Sequence, residues 1–340
     1  MTRVGCIGAG YFARFQISAW ARMQGVQVLA VGDTNPQARA AGAALAPGAT
    51  PVADIEAVLA LGPDIVDIAT PPSTHATLIS ACLGKVVTVI CQKPFCADLE
   101  EARAIAAQAE AAGTRLIIHE NFRFQPWYRE IASLMAQGRL GDVRQARFAL
   151  RPGDGLGREA YLDRQPYFRD MPRFLIRETG IHFIDVFRYL FGPPHVVYAD
   201  LRTENDVIAG EDAGLVIFDM PQGARAVFDG NRTLDHAAQN TRLTMGEMSV
   251  EGLDAELRLT GDGALHLRAR DAVEWQQHDY RFEDRDFGGN CVERFQAHVL
   301  QALAGKGGFE TLAQAYLQNL EVEAAIYRSA AEGQRMPTGQ

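Results

Sequence analysis

Three stretches of the sequence carry side chains suited to holding charge or moving a proton. The first is Cys91-Gln92-Lys93-Pro94, which follows an apolar run at 86–90. A lysine set between a buried strand and a proline turn is partly withdrawn from water. Its ammonium then gives up a proton more easily, or stabilises negative charge on a nearby oxygen. The second is Glu178-Thr-Gly-Ile-His182-Phe-Ile-Asp185, which opens a helical pattern. Histidine is the natural base for a hydroxyl proton near neutral pH. Glu178, His182 and Asp185 share a face if the helix begins early enough, and either carboxylate could orient the imidazole. The third is Thr70-Pro71-Pro72-Ser73-Thr74-His75, a rigid turn after another apolar run. Ser73 suits a helix cap. Thr70, Pro71 and His75 offer ligand contacts, with a purely structural helix start as the alternative for His75.

These groups need a reaction partner, and the start of the chain supplies a site for one. An apolar strand at 4–7 runs into Gly8-Ala-Gly10-Tyr11-Phe12-Ala13, the Gly-x-Gly-x-x-Gly/Ala pattern of a dinucleotide-binding βαβ unit. Gly8 permits the tight turn, Gly10 lets a pyrophosphate approach the backbone, and Ala13 lets the helix pack closely on the sheet. The helix N-terminus then offers N–H groups and positive dipole to phosphate. Asp33 ends the next strand, where a carboxylate accepts from the adenine-ribose hydroxyls and repels the extra phosphate of NADP. No arginine lies in the Thr34-Asn35-Pro36 turn after it, and the nearest is Arg39. This favours NAD over NADP; the alternative is that Asp33 only caps the next helix. In open parallel sheets ligands bind beyond the strand carboxyl ends, where Thr70, Gln92 and Lys93 also fall. Gly8, Gly10, Tyr11, Phe12, Asp33, Thr70, Pro71, His75, Gln92 and Lys93 are therefore the candidate cofactor contacts. Together the segments suit alcohol oxidation: a hydride goes to NAD, a base takes the hydroxyl proton, and a lysine positions the oxygen.

The elements that must position these groups fall into two sets. Short apolar runs at 4–7, 26–31, 65–69, 86–90 and 115–118 alternate with helical stretches at 12–23, 37–45, 55–61, 74–83 and 99–112. That is an α/β domain with a parallel sheet buried on both faces. After Glu120 the pattern changes. A helix at 126–137 is followed by strand runs at 143–150, 196–202, 213–218, 224–231, 242–251, 255–260 and 264–270. Glycine turns separate several of them, one helix is inserted at 180–191, and helices at 290–303 and 312–331 close the chain. The expected division is 1–122 for nucleotide and 123–340 for substrate and oligomerisation. The second domain reads as α+β with a large, mostly antiparallel open sheet. One face of that sheet needs cover, which predicts a homodimer or homotetramer.

Composition narrows the partners. The chain has 340 residues, 47% hydrophobic content and a net charge of −9. That charge argues against nucleic acid or an anionic membrane. No apolar run reaches the ~18 residues of a membrane helix, and the first strand begins without a preceding signal segment. The five cysteines are scattered, with no metal-ligand spacing. A reducing cytoplasm is the simplest setting.

In this order and spacing, Gly8-Ala-Gly10, Asp33, Thr70-Pro-Pro-Ser-Thr-His75, Lys93-Pro94, Asn121-Phe-Arg123-Phe and Gly180-Ile-His182-Phe-Ile-Asp185 resemble the glucose–fructose oxidoreductase, inositol dehydrogenase and rhizopine-catabolism (Gfo/Idh/MocA) superfamily over nearly the whole chain. The resemblance implies a Rossmann domain followed by a C-terminal domain on a large antiparallel sheet, and NAD(P)-dependent chemistry on sugars and polyols. It casts Lys93 as the active-site lysine and His182 as the catalytic histidine. Glu178 falls where the family commonly has aspartate, four residues before the histidine, and Gln92 stands where it usually has glutamate. Gln92 turns an orienting ion pair with the lysine into at best a hydrogen bond, and Glu178 adds one methylene. Neither removes the lysine–histidine pair.

Asn121 and Arg123, together with the 147–178 stretch that carries Tyr161, Phe168, Arg169 and Arg177, are the candidate substrate contacts. Aromatic faces beside hydrogen-bonding charge suit a sugar, and the many arginines suit an acidic one. A loop stitched by salt bridges is the alternative for any single residue. The run from Tyr167 to His182 resembles aldopentose dehydrogenases, including those acting on the branched sugar apiose. Two further readings remain: a glycosidase or dehydratase that recycles its NAD, and a non-catalytic NAD sensor, which would have no need of both Lys93 and His182.

Overall fold

The computed structural model describes residues 1–339. The chain divides into two compact units. One is Met1–Asn121 with Val292–Leu320, and the other is Phe122–Cys291 with the described remainder from Glu321.

The first unit is built on strands β1 (Thr2–Ile7), β2 (Val26–Gly32), β3 (Thr50–Val52), β4 (Ile65–Ile68), β5 (Thr88–Gln92) and β6 (Arg115–His119). They are all parallel, in the order β3-β2-β1-β4-β5-β6. The β4 and β5 runs are buried throughout, as a sheet covered on both faces requires. Between the strands lie α1 (Ala13–Arg22), α2 (Pro36–Ala44), α3 (Ile55–Ala60), α4 (His75–Cys82) and α5 (Leu99–Ala111). Asn35, Asp54 and Asp98 cap α2, α3 and α5 by accepting from backbone N–H groups of the first turn. Within the sheet, Asp67 accepts from the Trp20 indole at 2.7 Å, and burial pushes its carboxyl up to about 7.

Residues 292–320 pack with the first unit, whereas the sequence reading assigned everything after 122 to the second. Ile118 and Thr311 pair through their backbone groups at 2.8 Å, and the Thr311 hydroxyl adds a bond to the Ile118 carbonyl. Arg22 and Glu293 form an ion pair at 2.9 Å, and the His119 and Phe295 rings stack 4.2 Å apart. These contacts cover β6, which would otherwise be an open edge.

The second unit carries α6 (Pro126–Ala136), α7 (Ile181–Phe191) and a nine-stranded sheet. Its strands are β7 (Val143–Leu150), β8 (Val196–Arg202), β9 (Ala213–Asp219), β10 (Arg225–Asn231), β11 (Gly246–Gly252), β12 (Ala255–Leu259), β13 (Leu265–Ala269), β14 (Gln276–His278) and β15 (Met336–Pro337). The order is β14-β13-β12-β11-β7-β10-β9-β8-β15, antiparallel apart from the β7–β10 pair. Burial alternates along β8 and β10, so one face is packed and the other faces outward. Phe183 of α7 stacks between Phe148 and Phe228 of the packed face, at 3.9 and 5.3 Å. The remaining helices are α8 (Cys291–Leu303) and α9 (Ala313–Glu332).

Candidate active site

In the first unit the glycine pattern has the geometry it was read for. Gly8 has φ +97°, and a Cβ there would lie 2.3 Å from the Ala69 carbonyl oxygen. A Cβ on Gly10 would meet nothing within 4 Å. Protein packing therefore does not require glycine at position 10, and the open space is suited to an approaching phosphate. No side chain caps α1 and no acid lies in its first turn. Ala13 is buried against the sheet. Tyr11 and Phe12 form an aromatic group with Phe15 at the head of α1, and Arg14 lies over the Tyr11 ring at 4.4 Å. Asp33 accepts from the Ala9 N–H and from the Asn35 N–H, both at 2.8 Å. Its carboxylate therefore sits against the glycine turn, while Asn35 caps α2. Arg39 donates to the Asp33 and Thr34 carbonyls. These residues fit a dinucleotide: the glycine turn and α1 would hold the pyrophosphate, and Asp33 the adenine ribose.

The other strand ends sort differently from the sequence reading. His75 is fully buried, and its Nε2 bonds the Thr70 carbonyl at 2.8 Å. Burial lowers its proton affinity, so the ring is a neutral donor that fixes the turn and has no surface for a cofactor. Thr70 and Thr74 bond through their hydroxyls at 2.7 Å, and Thr74 also donates to the Pro71 carbonyl. Ser73 lies inside a 3₁₀ turn, Pro72–Thr74, and Thr74 takes the N-cap position of α4, without a side-chain capping bond. Gln92 is buried, and its Oε1 accepts the Lys93 backbone N–H at 2.8 Å. The residue that departs from the family pattern thus shapes the turn at Lys93 rather than presenting a charge. Lys93 is half-buried, ahead of a cis bond to Pro94 and a buried Phe95-Cys96 pair.

In the second unit a π-helical turn, Leu175–Gly180, feeds directly into α7. The regular helix begins only at Ile181, so Glu178 sits on the π turn and the single shared face expected for Glu178, His182 and Asp185 is interrupted between the first and the other two. His182 is 4% exposed, and the Phe122 ring lies parallel to it at 3.8 Å and 4°. Asp185, wholly buried, accepts both arms of Arg123 at 2.6 Å. Asn121, the last residue of the first unit, is also buried. Phe122 was missed by sequence reasoning; its neighbours in the Asn121-Phe-Arg123 motif were the only signal.

Several candidate substrate contacts prove to be packing. Phe168 is 1% exposed within a cluster of Tyr161, Phe174, Ala160 and Ile208. A ring with no free face cannot stack on a sugar. Tyr161 lies in the same cluster, with its hydroxyl donating to Asp154 at 3.0 Å. Arg177 is paired with buried Glu323 of α9 at 2.9 Å. Arg169 stays partly exposed, and its carbonyl accepts the Ala209 N–H.

Comparison with known proteins agrees with this geometry. The model of an oxidoreductase family with an NAD-binding Rossmann fold matches residues 2–120, and the GFO/IDH/MocA C-terminal domain matches 128–251. A D-apiose dehydrogenase of Paraburkholderia graminis is 30% identical over 96% of this chain and 87% of its own. The chain belongs to the GFO/IDH/MocA oxidoreductase family. A second member, the D-apiose dehydrogenase of Rhizobium rhizogenes, is 27% identical over 98% of this chain and 96% of its own. A crystal structure of an Agrobacterium radiobacter oxidoreductase in complex with NAD+, L-tartaric acid and magnesium superposes with a TM-score of 0.88 at 26% identity, covering 99% of this chain and 98% of that one. As the family description implies, the first unit is an NAD-binding Rossmann domain. Among the described residues no helix is long and apolar enough to cross a membrane, and no group of three or more His, Cys, Asp or Glu side chains could hold a metal ion.

Asp33→Ala tests the ribose reading. The substitution removes the acceptor of two backbone N–H groups and the charge that repels a 2′-phosphate. NAD is expected to bind about tenfold more weakly while NADP is unaffected or improved, a shift of about 1.4 kcal/mol in preference. Titration of both cofactors against NADH fluorescence measures it, and an unchanged preference would place ribose recognition elsewhere.

Proposed function

We propose that this chain is an NAD-dependent dehydrogenase that oxidises a carbinol carbon of a sugar or polyol, with an aldopentose such as D-apiose as the first candidate. The observation that carries the reading is the setting of His182. Its ring is held flat under Phe122, on a helix that the Arg123–Asp185 pair fixes from within. A base held in one orientation suits a single, directed proton transfer. His182 accepts the substrate hydroxyl proton. Lys93 supplies an ammonium suited to stabilising the negative charge that develops on a substrate oxygen. Glu178 orients the base. The glycine turn and Asp33 hold NAD, which, when bound, supplies the hydride acceptor. Similarity along the whole chain to two D-apiose dehydrogenases supports the substrate class.

The direct test is absorbance at 340 nm across sugars, polyols and sugar acids, with NAD and with NADP. A rise with one aldose or polyol is expected. Silence in protein that binds NAD would favour the cofactor-recycling or sensor readings.

We further propose a homodimer or homotetramer through the outward face of the nine-stranded sheet. Tyr198 of β8 and Leu215 of β9 are exposed there, with the half-buried Ile217 of β9 and Val227 of β10 beside them. Sedimentation equilibrium is expected to return two or four chains, and Leu215→Arg to lower that number. A monomer would end this proposal.

A further inference from the structure

Arg232 directly follows β10 and belongs to no motif, yet its side chain is only 2% exposed. Burying a guanidinium is costly, and an apolar side chain of similar volume would often serve packing as well. The charge has directed partners. Nη2 donates to Asp154 Oδ2 at 2.9 Å; Nε donates to the Tyr161 hydroxyl at 2.7 Å and lies 3.2 Å from Asp154 Oδ1. Nη1 donates to the Thr179 hydroxyl at 2.6 Å and lies 3.4 Å from Glu178 Oε2, to which the Thr179 hydroxyl in turn donates. The rings of Phe174 and Tyr161 flank the guanidinium at 4.8 and 5.3 Å. The Gly155 N–H donates to the Arg232 carbonyl, and a Cβ on Gly155 would come within 2.9 Å of Arg232 Cβ and 3.0 Å of the Tyr161 hydroxyl. Position 155 is therefore glycine because the loop lies directly on Arg232. Burial alone would raise the Asp154 carboxyl, but the charge and hydrogen bonds of Arg232 hold it below its ordinary range.

One arginine thus joins two segments. Asp154 and Tyr161 lie in the 151–174 stretch, which leads into the π turn. Glu178 and Thr179 lie on that turn, four and three residues before His182. We propose that Arg232 is a positioning residue: it clasps the 151–174 segment to the π turn and fixes the Glu178 carboxylate, so that the turn leading into the helix of His182 keeps one geometry. The proposal rests on His182 being the base.

The test compares Arg232→Met, Arg232→Lys and the milder Tyr161→Phe with the parent enzyme. With the sugar found by the absorbance test at 340 nm, Arg232→Met is expected to raise sugar KM about tenfold or more, with NAD KM within about twofold. The acid limb of kcat/KM should move to higher pH, because losing a cation beside Glu178 favours the imidazolium form of the base. Arg232→Lys keeps the charge but loses the fork, so KM should rise while the limb stays in place. If kcat falls with sugar KM and the acid limb unmoved, Arg232 only packs the core and the proposal fails. Trypsin supplies a readout that needs no substrate. The segment contains Arg158, Arg164, Arg169 and Arg173. Cleavage there should accelerate about fivefold or more in Tyr161→Phe, and in Arg232→Met if that variant folds. Unchanged cleavage in a folded Tyr161→Phe would overturn the clasp even if no sugar is ever turned over. Faster cleavage without any turnover would leave the clasp standing and count against the dehydrogenase reading alone.

Discussion

Lys93→Met and His182→Ala are each expected to lower kcat by about 10²–10⁴ while leaving the dissociation constant for NAD nearly unchanged. Methionine keeps most of the volume of Lys93 and removes only the ammonium. The backbone turn, fixed by Gln92 Oε1 and the bond to Pro94, should persist. What disappears is the ammonium proposed to stabilise charge on the substrate oxygen. For His182→Ala the proposed proton acceptor goes, along with the imidazole stacked on the Phe122 ring. His182→Asn separates the two losses, since it keeps a polar side chain without a titratable base; a fall as deep as that of the alanine variant assigns the effect to proton transfer. The glycine turn and Asp33, proposed to hold the pyrophosphate and the adenine ribose, are touched by neither change. Stopped-flow or steady-state turnover with parallel NAD titration checks both statements. A variant with near-parent turnover would remove that residue from the mechanism.

Arg123→Met is expected to cost about 3–5 kcal/mol of stability, a fall in Tm of about 10 °C. Asp185 is wholly buried and accepts both arms of the guanidinium. Removing Arg123 alone leaves a carboxylate in a low-dielectric interior without its main compensation. The double change Arg123→Met with Asp185→Leu should recover most of the loss, because paired apolar groups do not carry the desolvation penalty. Urea unfolding of the two single variants and the double variant forms the cycle. The same experiment decides between packing and substrate contact at Arg123. A variant of normal stability whose sugar KM alone rises would make the arginine a substrate ligand.

Legibility in the sequence followed a physical pattern. Regular elements were readable wherever burial imposed a period: the apolar runs of β1, β2, β4, β5 and β6, and the amphipathic α6, fell within a few residues of their places. The short strands β3, β14 and β15 escaped, because a two- or three-residue edge such as Gln276–His278 pairs through its backbone and needs no apolar pattern. Periodicity also marked a helix at 290–303 but could not say which sheet it covers. At the site, Gly8, Gly10 and Asp33 were legible because each constraint acts through the backbone of a single turn. Tyr161 and Phe168 misled, because aromatic rings beside arginines look alike whether they form a sugar platform or a small core. Arg232 was invisible for the opposite reason: arginine is ordinarily a surface residue, and nothing local marks one that is not.

The return of residues 292–320 to the Rossmann sheet sets an order on biosynthesis. A ribosome adding about 5–20 residues per second releases strands β7 to β14 before it delivers Thr311 and Leu312 to β6. During that interval Leu116, Ile117 and Ile118 lie on an uncovered parallel edge, the kind of surface that recruits other chains. The part of the chain made first is thus among the last to have its sheet edge covered. Any chimera that transplants only the N-terminal 121 residues inherits the same open edge permanently.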